Sequence, residues 1–285
     1  MDQETYKILS SLKLKYAKLI KIEDVETREL LTIKKSRNIA EYSWTLKSNF
    51  MSYLFVKYPS IPSLFYLDAD IFFFNDIKLV FKEIANTSIA IAPHRFPKIF
   101  ESRTKNTGIF NAGVIFIKKD SIGLKALERW RKQCIKWCYW RLENGKLADQ
   151  MYLDEWPRFY KNLHQFKHAG VNSAPWNICE YKITKKKDDI YINDKPLIFY
   201  HFHQLTIYSD QTFEPSYGYY IPRKILNLIY KPYEDTLLDI IKMIDKIKPN
   251  FKQALKQRNK LYSNLQRIKK YLYPLYWKTK EILPE

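Results

Sequence analysis

The sequence has few of the residues that mark secreted or membrane-spanning proteins. Three cysteines occur in 285 residues, and this odd number without paired spacing argues against a disulfide framework or a cysteine-based metal site. Cys134 and Cys138 lie four apart in a helical pattern, so we expect them to face the core. No run of eighteen uncharged apolar residues exists, and residues 1–13 lack the apolar segment of a signal peptide. We therefore expect a cytoplasmic protein that does not span a membrane.

Arginine is scarce relative to lysine, which bears on the meaning of the formal charge of +19. The chain has 38 Lys but 11 Arg, whereas recognition of bases and phosphates favours the bidentate guanidinium group. The lysines are spread along the chain, apart from a KKK run at 185–187 and a dense C-terminal segment. A solvated, lysine-rich surface accounts for this pattern. Binding to nucleic acid or to a membrane surface without catalysis is the alternative.

Glycine is scarce as well, with six in the chain, and no internal repeat or low-complexity tract is present. Helical and strand-like apolar patterns alternate along the sequence, which indicates an α/β fold. Helices are predicted at residues 4–13, 40–58, 122–143 and 149–156, the last stopped by Pro157. Strands are predicted at residues 17–24, 63–67, 88–96 (broken at Pro93), 110–120 and 196–205. Residues 1–228 are interpreted as one domain, followed by an extension at 229–285.

Two aspartates interrupt an otherwise apolar stretch, LFYLDADIFFF at residues 64–74. Unpaired carboxylates are costly to bury, and these two follow a predicted strand, at the end where ligands bind in open α/β sheets. Asp68 and Asp70 share a face, and two hard carboxylate oxygens suit Mg²⁺ or Mn²⁺. His201 or His203, two apart on a later strand, could add an imidazole ligand, which would favour Mn²⁺. The alternative is a strand-end turn in which the aspartates bond local backbone N–H groups.

Four motifs in a fixed order carry a resemblance to a known family: YLDADI at 66–71, FNAGVIFI at 110–117, DQMYLDEWP at 149–157 and YHFHQL at 200–205. With them, residues 1–210 resemble GT-A-fold glycosyltransferases of the family 8 type, and more closely their bacterial surface-polysaccharide relatives. The resemblance implies a Rossmann-like GT-A fold and metal-dependent transfer of a sugar from a nucleotide-sugar, with a UDP-sugar favoured. The acceptor would be a glycan or a lipid-linked molecule of cell-surface polysaccharide synthesis.

The resemblance implies a role for each matched residue. The divalent cation would be bound by Asp68, Asp70, His201 and His203, the last as a substitute ligand. The sugar and acceptor pocket would be lined by Asn111, Ala112 and Gly113. The catalytic pair that touches the transferred sugar would be Asp149 and Gln150. Two simpler readings stay open, since Asp149 can be only an N-cap for its helix and the 111–113 segment only a tight strand start.

One loop and one missing motif complete the prediction of the binding region. The stretch HAGVNSAPWNI at 168–178 is predicted to be a loop in which polar side chains flank an aromatic ring, so Asn172 and Trp176 are predicted to bind substrate. The resembled family has a glycine after its histidine strand and then Lys-Pro-Trp, whereas this chain has Gln204 and TIYSDQTFEP. No replacement lysine for the diphosphate can be named from the sequence.

A second enzyme class shares the aspartate pattern. Haloacid-dehalogenase-type phosphatases also place D-x-D after an apolar strand, in the form D-x-D-x-[TV] and usually with a glycine between the aspartates. In this chain Asp70 is followed by Ile71 and Phe72, which departs from that form. Phosphatase chemistry is therefore the less favoured alternative.

Both ends of the chain carry further expectations. Residues 242–285 contain twelve Lys or Arg against three carboxylates, and apolar residues follow steps of four and three. These apolar residues are Leu261, Leu265, Ile268, Leu272 and Leu275. Such a basic amphipathic helix could lie on the anionic inner membrane surface or pack against its own domain. At the other end, proteins of the resembled type begin with a strand, a helix and a second strand that precede anything matched here, so an N-terminally truncated fold is expected.

Overall fold

The architecture is given by a computed structural model that describes residues 1–251 and 255–257. Its strands are β1 (Ser63–Leu67), β2 (Ile71–Phe73), β3 (Ile89–Pro93), β4 (Phe110–Lys118), β5 (Leu163–Gln165), β6 (Ile183–Lys186), β7 (Asp189–Ile192), β8 (Lys195–Pro196), β9 (Phe199–His201), β10 (Thr206–Ile207) and β11 (Phe213–Glu214). Its α-helices are α1 (Gln3–Ser11), α2 (Arg28–Lys34), α3 (Ile39–Lys57), α4 (Lys78–Ile84), α5 (Arg103–Thr107), α6 (Ser121–Lys136), α7 (Trp156–Phe159), α8 (Arg223–Ile225) and α9 (Lys231–Ile247). Short 3-10 helices occupy Ile22–Asp24, Lys98–Phe100, Met151–Glu155 and Ile178–Glu180, and a π-helical turn at Leu226–Tyr230 joins α8 to α9.

A four-stranded mixed sheet forms the centre, in the order β1-β4-β3-β5. β4 pairs antiparallel with β1 on one side and with β3 on the other, while β5 runs parallel to β3. Every residue of β4 except the last is buried, which is expected of a strand covered on both faces. Smaller sheets pair β2 with β9, β10 with β11, and β7 with both β6 and β8.

Alternate residues of β3 and β4 face opposite sides of the sheet, as strand geometry requires. On one side their isoleucines pack against α3 and α6, through side chains that include Met51 and Trp130. On the other side Ala90 and Val114 pack with α4 and with the segment that leads into β9. The sheet therefore forms the middle layer of an α/β fold, and the predicted class is confirmed.

Several predicted elements are confirmed near their expected bounds, namely α1, α3, β1, β3 and β4. Cys134 and Cys138 are buried in the core as expected. The strand predicted at residues 17–24 is wrong, because this segment is irregular and ends in a 3-10 turn. Its backbone bonds to the start of the chain instead of to a sheet, since the Ile22 N–H donates to the Met1 carbonyl at 3.0 Å.

Three other predicted bounds were also wrong. α6 ends at Lys136 and not at residue 143, because Trp137 takes an extended conformation that buries its ring. Residues 151–155 form a 3-10 helix, and Pro157 lies in the first turn of α7 instead of stopping a helix. Proline is tolerated there because the first N–H groups of a helix have no intrahelical partner. The strand expected across 196–205 is limited to the three residues of β9 and the short β8.

The C-terminal part bears on the membrane prediction. Within the described part of the chain, no helix combines the length and the apolar character needed to cross a bilayer. α9 exposes Ile240, Met243 and Ile247 along its surface. The apolar stripe predicted from Leu261 to Leu275 lies outside the described residues, so the extension at 229–285 stays a prediction.

Candidate active site

The two aspartates lie in the turn that joins β1 to β2. The Asp68 N–H donates to the Gly113 carbonyl at 2.9 Å, which ties the start of this turn to β4. β2 pairs antiparallel with β9, whose last residue is His201. The Phe202 N–H donates to the Asp70 carbonyl at 2.8 Å, so this pairing brings the second aspartate to the histidines.

Asp70, His201 and His203 form a cluster of the kind that binds a metal ion. One ligand atom from each, a carboxylate oxygen or an imidazole nitrogen, lies within 4.8 Å of the other two. Asp70 Oδ1 and His201 Nε2 are 3.1 Å apart. His201 Nδ1 lies 3.3 Å from Asn172 Oδ1, and a proton on Nδ1 towards this oxygen leaves the lone pair of Nε2 on the side of the carboxylate. A carboxylate oxygen and an imidazole nitrogen at this separation share a proton in the free chain or both bind a cation, so the geometry fits a metal ion.

The protonation states of the cluster also suit a metal. Burial lowers the pKa of His203 to about 4, and the neighbouring His201 acts in the same direction. Although burial opposes it, the hydrogen bond and charge of His201 hold the pKa of Asp70 below its usual 3.8. At neutral pH the cluster therefore offers an ionised carboxylate and a neutral imidazole, the forms that bind metals. A mixed oxygen and nitrogen donor set suits Mn²⁺ better than Mg²⁺.

A buried lysine on α3 faces the same site. Lys47 is 9% exposed, and its Nζ lies 3.0 Å from Asp68 Oδ1 and 3.4 Å from Asp149 Oδ2. Tyr66 donates its hydroxyl to Asp68 Oδ1 at 2.7 Å. The structure thus clusters three of the four predicted metal ligands, whereas Asp68 lies beside them in an ion-pair network of its own.

The charges of this network depend on one another. Burial by itself would lower the pKa of Lys47, but Asp149 and then Asp68 raise it above its ordinary 10.5. Burial raises the pKa of Asp149 from 3.8 to about 6, against the attraction of Lys47. Besides its ion pair with Lys47, Asp149 Oδ2 accepts no hydrogen bond among the described residues. Asp149 does not cap the helix that follows, which has no side-chain cap, so the N-cap alternative is wrong.

The start of β4 bulges towards the site. The register between β3 and β4 shifts after Ile91, opposite the Asn111-Ala112-Gly113 segment. Gln150 Oε1 accepts hydrogen bonds from Asn111 Nδ2 and from the Ala112 N–H, each at 3.2 Å. The Asn111 Oδ1 atom accepts from the Gly113 N–H at 3.1 Å. Gln150 therefore holds the bulge in place, besides facing the site itself.

Gly113 marks the closest approach of the parts of the site. A Cβ atom at this position would lie 2.7 Å from both Asp68 Oδ2 and His201 Cε1, and 2.8 Å from Asn111 Oδ1. Such distances are shorter than van der Waals contact permits, so glycine alone fits here. The close backbone approach predicted for this small residue is present.

The two residues predicted in the 168–178 loop lie around the histidines. Asn172 is fully buried, has φ of 56° and contacts His201 through its amide. Trp176 borders the site but is buried, and its ring packs edge-on against His201 and His203 with centroids 5.2 and 5.4 Å apart. Its indole N–H donates to the His94 carbonyl at 2.9 Å. Both residues orient the imidazoles, and their predicted contact with substrate stays a prediction.

Gln204 occupies the position where the resembled family has glycine. Its φ of 67° is a left-handed conformation, which favours glycine because other side chains are strained there. The Gln204 Oε1 atom accepts from the Ser216 hydroxyl at 3.2 Å and from the Gly218 N–H at 3.1 Å. These two bonds offset the strain and fix the loop that follows the histidines.

Sequence reasoning missed Lys47 and Tyr66. Lys47 stands on the apolar side of α3, three residues after Trp44 and four before Met51, and both of these pack in the core. A lone lysine on that stripe was the available signal, because buried lysines are rare unless they are paired. Tyr66 gave no comparable signal within an apolar strand.

One cavity of about 520 Å³ contains these groups. Its lining joins Asp70 and the two histidines to Lys47, Asp68 and Asp149, and it continues past Trp44 and Trp140. A concave site of this size with a few converging charged groups has the features of a small-molecule site.

Comparison with known proteins gives a family and relatives. A family model described as Glycosyl transferase family 8 matches residues 1–169. The protein YfnD of Bacillus subtilis (strain 168) is 32% identical over 254 residues, covering 88% of this chain and 81% of YfnD. The protein YfnF of the same organism is 30% identical over 258 residues, covering 88% of this chain and 84% of YfnF.

Two solved structures are similar at lower identity. One is a glycosyltransferase involved in the glycosylation of the major capsid of PBCV-1, 12% identical over 66% of this chain and 74% of that chain, with a TM-score of 0.38. The other is mouse xyloside xylosyltransferase 1 in its apo form, 16% identical over 60% of this chain and 70% of that chain, with a TM-score of 0.38.

Proposed function

The chain belongs to glycosyl transferase family 8 and is a glycosyltransferase of GT-A type, and from that premise we propose that it transfers a sugar from a UDP-sugar. The proposed acceptor is a glycan or a lipid-linked molecule of cell-surface polysaccharide synthesis. Divalent metal, with Mn²⁺ favoured over Mg²⁺, is the proposed cofactor. The family assignment leaves no support for the phosphatase alternative.

The observation that carries this proposal is the shared cavity. The possible metal ligands Asp70, His201 and His203 line it together with an ion-pair network of Lys47, Asp68 and Asp149. A nucleotide-sugar needs both features, because its diphosphate is anionic and its sugar develops positive charge as the nucleotide departs. The possible metal site and the ion-pair network lie side by side in the cavity, as the diphosphate and the sugar do in a nucleotide-sugar.

Each residue of the network has a distinct proposed task. When bound, the cation would be held by Asp70, His201 and His203 and would supply Lewis-acid stabilisation of the departing diphosphate. Asp149 provides negative charge and a free Oδ2 lone pair that can accept a hydrogen bond from a sugar hydroxyl. Lys47 keeps Asp149 ionised at neutral pH by opposing the effect of its burial. Gln150 positions the start of β4 against the transferred sugar.

Titration calorimetry of UDP with and without Mn²⁺ tests the cation site. Asp70→Ala should weaken the Mn²⁺-dependent affinity for UDP by about tenfold or more, because a carboxylate ligand is lost. Asp76→Ala is the matched control, since this aspartate is exposed and pairs with Lys78 at the start of α4. Equal Mn²⁺-dependent affinity in the wild type and Asp70→Ala would refute the assignment.

Release of UDP from a panel of UDP-sugars tests the donor. The wild type should hydrolyse at least one of them slowly in the absence of acceptor, and Asp149→Asn should not, although it still binds UDP and Mn²⁺. A wild type that binds UDP with Mn²⁺ and hydrolyses no UDP-sugar would contradict the proposed donor class.

The basic C-terminal part suggests where the acceptor is met. Residues 242–285 hold twelve Lys or Arg against three carboxylates, and we propose that they bind the anionic inner membrane surface. Flotation with anionic liposomes should recover the full chain and not a variant that ends at residue 241. Equal, negligible flotation of both proteins would exclude this surface role.

A further inference from the structure

Two tryptophans, Trp44 and Trp140, lie together at the mouth of the cavity, and we call this pair the platform. Trp140 is 66% exposed and Trp44 is half-buried, with ring centroids 5.3 Å apart and ring planes inclined at 46°. Both rings line the cavity that holds the charged network. Aromatic rings at the rim of a concave polar site supply rigid, amphipathic contact area for a ligand.

Hydrogen bonds fix the backbone that carries the exposed ring. The backbone N–H of Trp140 donates to Glu41 Oε1 at 2.9 Å. Glu41 Oε2 accepts from the Asn38 N–H at 3.0 Å, in the capping box that begins α3. The loop that carries Trp140 is closed by a bond from the Ala148 N–H to the Tyr139 carbonyl at 3.0 Å. The backbone that presents the two rings is therefore preorganised, which reduces the entropy lost when a ligand binds.

Helix α3 and the loop after α6 carry both the platform and the charged residues Lys47 and Asp149. Lys47 follows Trp44 by one helical turn of α3, so both point to the same side. The hydrogen bond between the Ala148 N–H and the Tyr139 carbonyl places Asp149 close to the segment that carries Trp140. The ion pair between Lys47 and Asp149 therefore lies directly behind the platform. Through Asp68, which Lys47 also contacts, the network continues towards Asp70 and the metal-type cluster.

This order along the cavity assigns a place to the acceptor. If the diphosphate lies at the cluster, the transferred sugar lies at Lys47 and Asp149, and the next position outward is the platform. We propose that Trp44 and Trp140 bind a sugar ring of the acceptor glycan, an inference that rests on the proposed function. A pyranose presents an apolar C–H face that packs on an indole, while its hydroxyl groups reach polar neighbours such as Ser43, which also lines the cavity.

Saturation-transfer NMR with maltose, cellobiose and lactose as probes tests the platform, in the presence of UDP and Mn²⁺. The wild type should transfer saturation to at least one disaccharide. Trp140→Ala should reduce that signal by about tenfold or more, whereas Trp140→Phe should keep much of it. Phe159→Ala is the matched control, because Phe159 is an exposed ring outside the cavity. Trp140 is largely exposed, so its removal leaves the core intact; Trp44→Ala is the second variant.

Calorimetry of UDP with Mn²⁺ on the same variants separates this inference from the proposed function. Unchanged UDP affinity with loss of disaccharide binding supports the platform. Loss of UDP affinity in Trp140→Ala would make the nucleobase the occupant and would overturn the inference. Equal saturation transfer in the wild type and Trp140→Ala, or none to any disaccharide in the wild type, would overturn it too. Disaccharide binding that needs Trp140 in a chain without UDP affinity would refute the proposed donor while leaving the platform standing.

Discussion

Replacement of Asp149 by asparagine is expected to stabilise the fold and to abolish transfer. Asp149 is 2% exposed, and burial raises its pKa from 3.8 to about 6, although Lys47 opposes the rise. The carboxyl group therefore binds its proton more tightly in the folded chain than in the unfolded chain. At neutral pH the folded chain must hold an ionised group in a site that favours the neutral form. Asparagine has nearly the same shape and no charge to bury.

The magnitude follows from the two pKa values. The difference between 3.8 and about 6 corresponds to about 3 kcal/mol of unfolding free energy, which Asp149→Asn should gain. The substitution should raise the unfolding free energy, because the pKa of Asp149 is higher in the folded chain than in the unfolded chain. The gain is complete above about pH 7, shrinks as the pH falls through 6 and vanishes below about pH 3.8. For a chain of this size the melting temperature should rise by about 5 °C at neutral pH.

Calorimetric or urea unfolding of both proteins, at neutral pH and at about pH 4, measures this difference. Asp239→Asn is the matched control, because Asp239 is exposed on α9, and its effect should stay within about 0.5 kcal/mol. UDP release from any UDP-sugar that the wild type hydrolyses, assayed in parallel, should fall below detection in Asp149→Asn. An unfolding free energy that is unchanged, or a gain that does not depend on pH, would refute the assignment of a strained carboxylate to this site.

Three further substitutions probe the neighbours of this carboxylate. Gly113→Ala should abolish UDP-sugar hydrolysis, because the new Cβ atom would lie 2.7 Å from a carboxylate oxygen and from an imidazole carbon. Gly218→Ala is the control and should retain hydrolysis, because its Cβ atom would lie 3.4 Å from the nearest atom. Lys47→Met should lower the unfolding free energy by about 3 to 5 kcal/mol in urea titrations, since the buried Asp149 and the half-buried Asp68 lose their cation. Ala148→Gly should raise that free energy by about 1 kcal/mol and keep hydrolysis, because Ala148 has φ of 49° beside Asp149; a loss of stability would contradict this.

Much of the site could be predicted from the sequence because its motifs sit at strand ends. Asp70 and His201 come from segments separated by more than a hundred residues, yet each follows or ends a short apolar strand, and the β2 to β9 pairing unites them. Asn111 to Gly113 open β4, which its largely apolar sequence predicted as a strand. The local sequence pattern was enough to predict a candidate site residue wherever that residue was next to its strand in the sequence.

The remainder depended on contacts that no local pattern encodes. The 17–24 segment has the apolar content of a strand, but its backbone bonds to the first turn of the chain instead of to a sheet. α6 ends early because Trp137 is drawn into the core, and this creates the loop that carries Trp140. The role of Lys47 emerges only when α3 packs beside β1 and the Asp149 loop. These are tertiary preferences that override local propensity.

The two aspartates of the D-x-D motif have different surroundings, because strand pairing brings each of them to different neighbours. Asp68 lies where β1 meets β4, within reach of Lys47 and the Tyr66 hydroxyl, so its charge is balanced by the protein. Asp70 is two residues farther, where the pairing with β9 leaves it facing the imidazoles of His201 and of His203, whose pKa burial lowers to about 4. A balanced carboxylate gains little from a cation, whereas a carboxylate among neutral donors gains much. Lys47 and Tyr66 therefore hold one carboxylate of the motif within the protein, whereas the other stays available as the metal ligand that we propose.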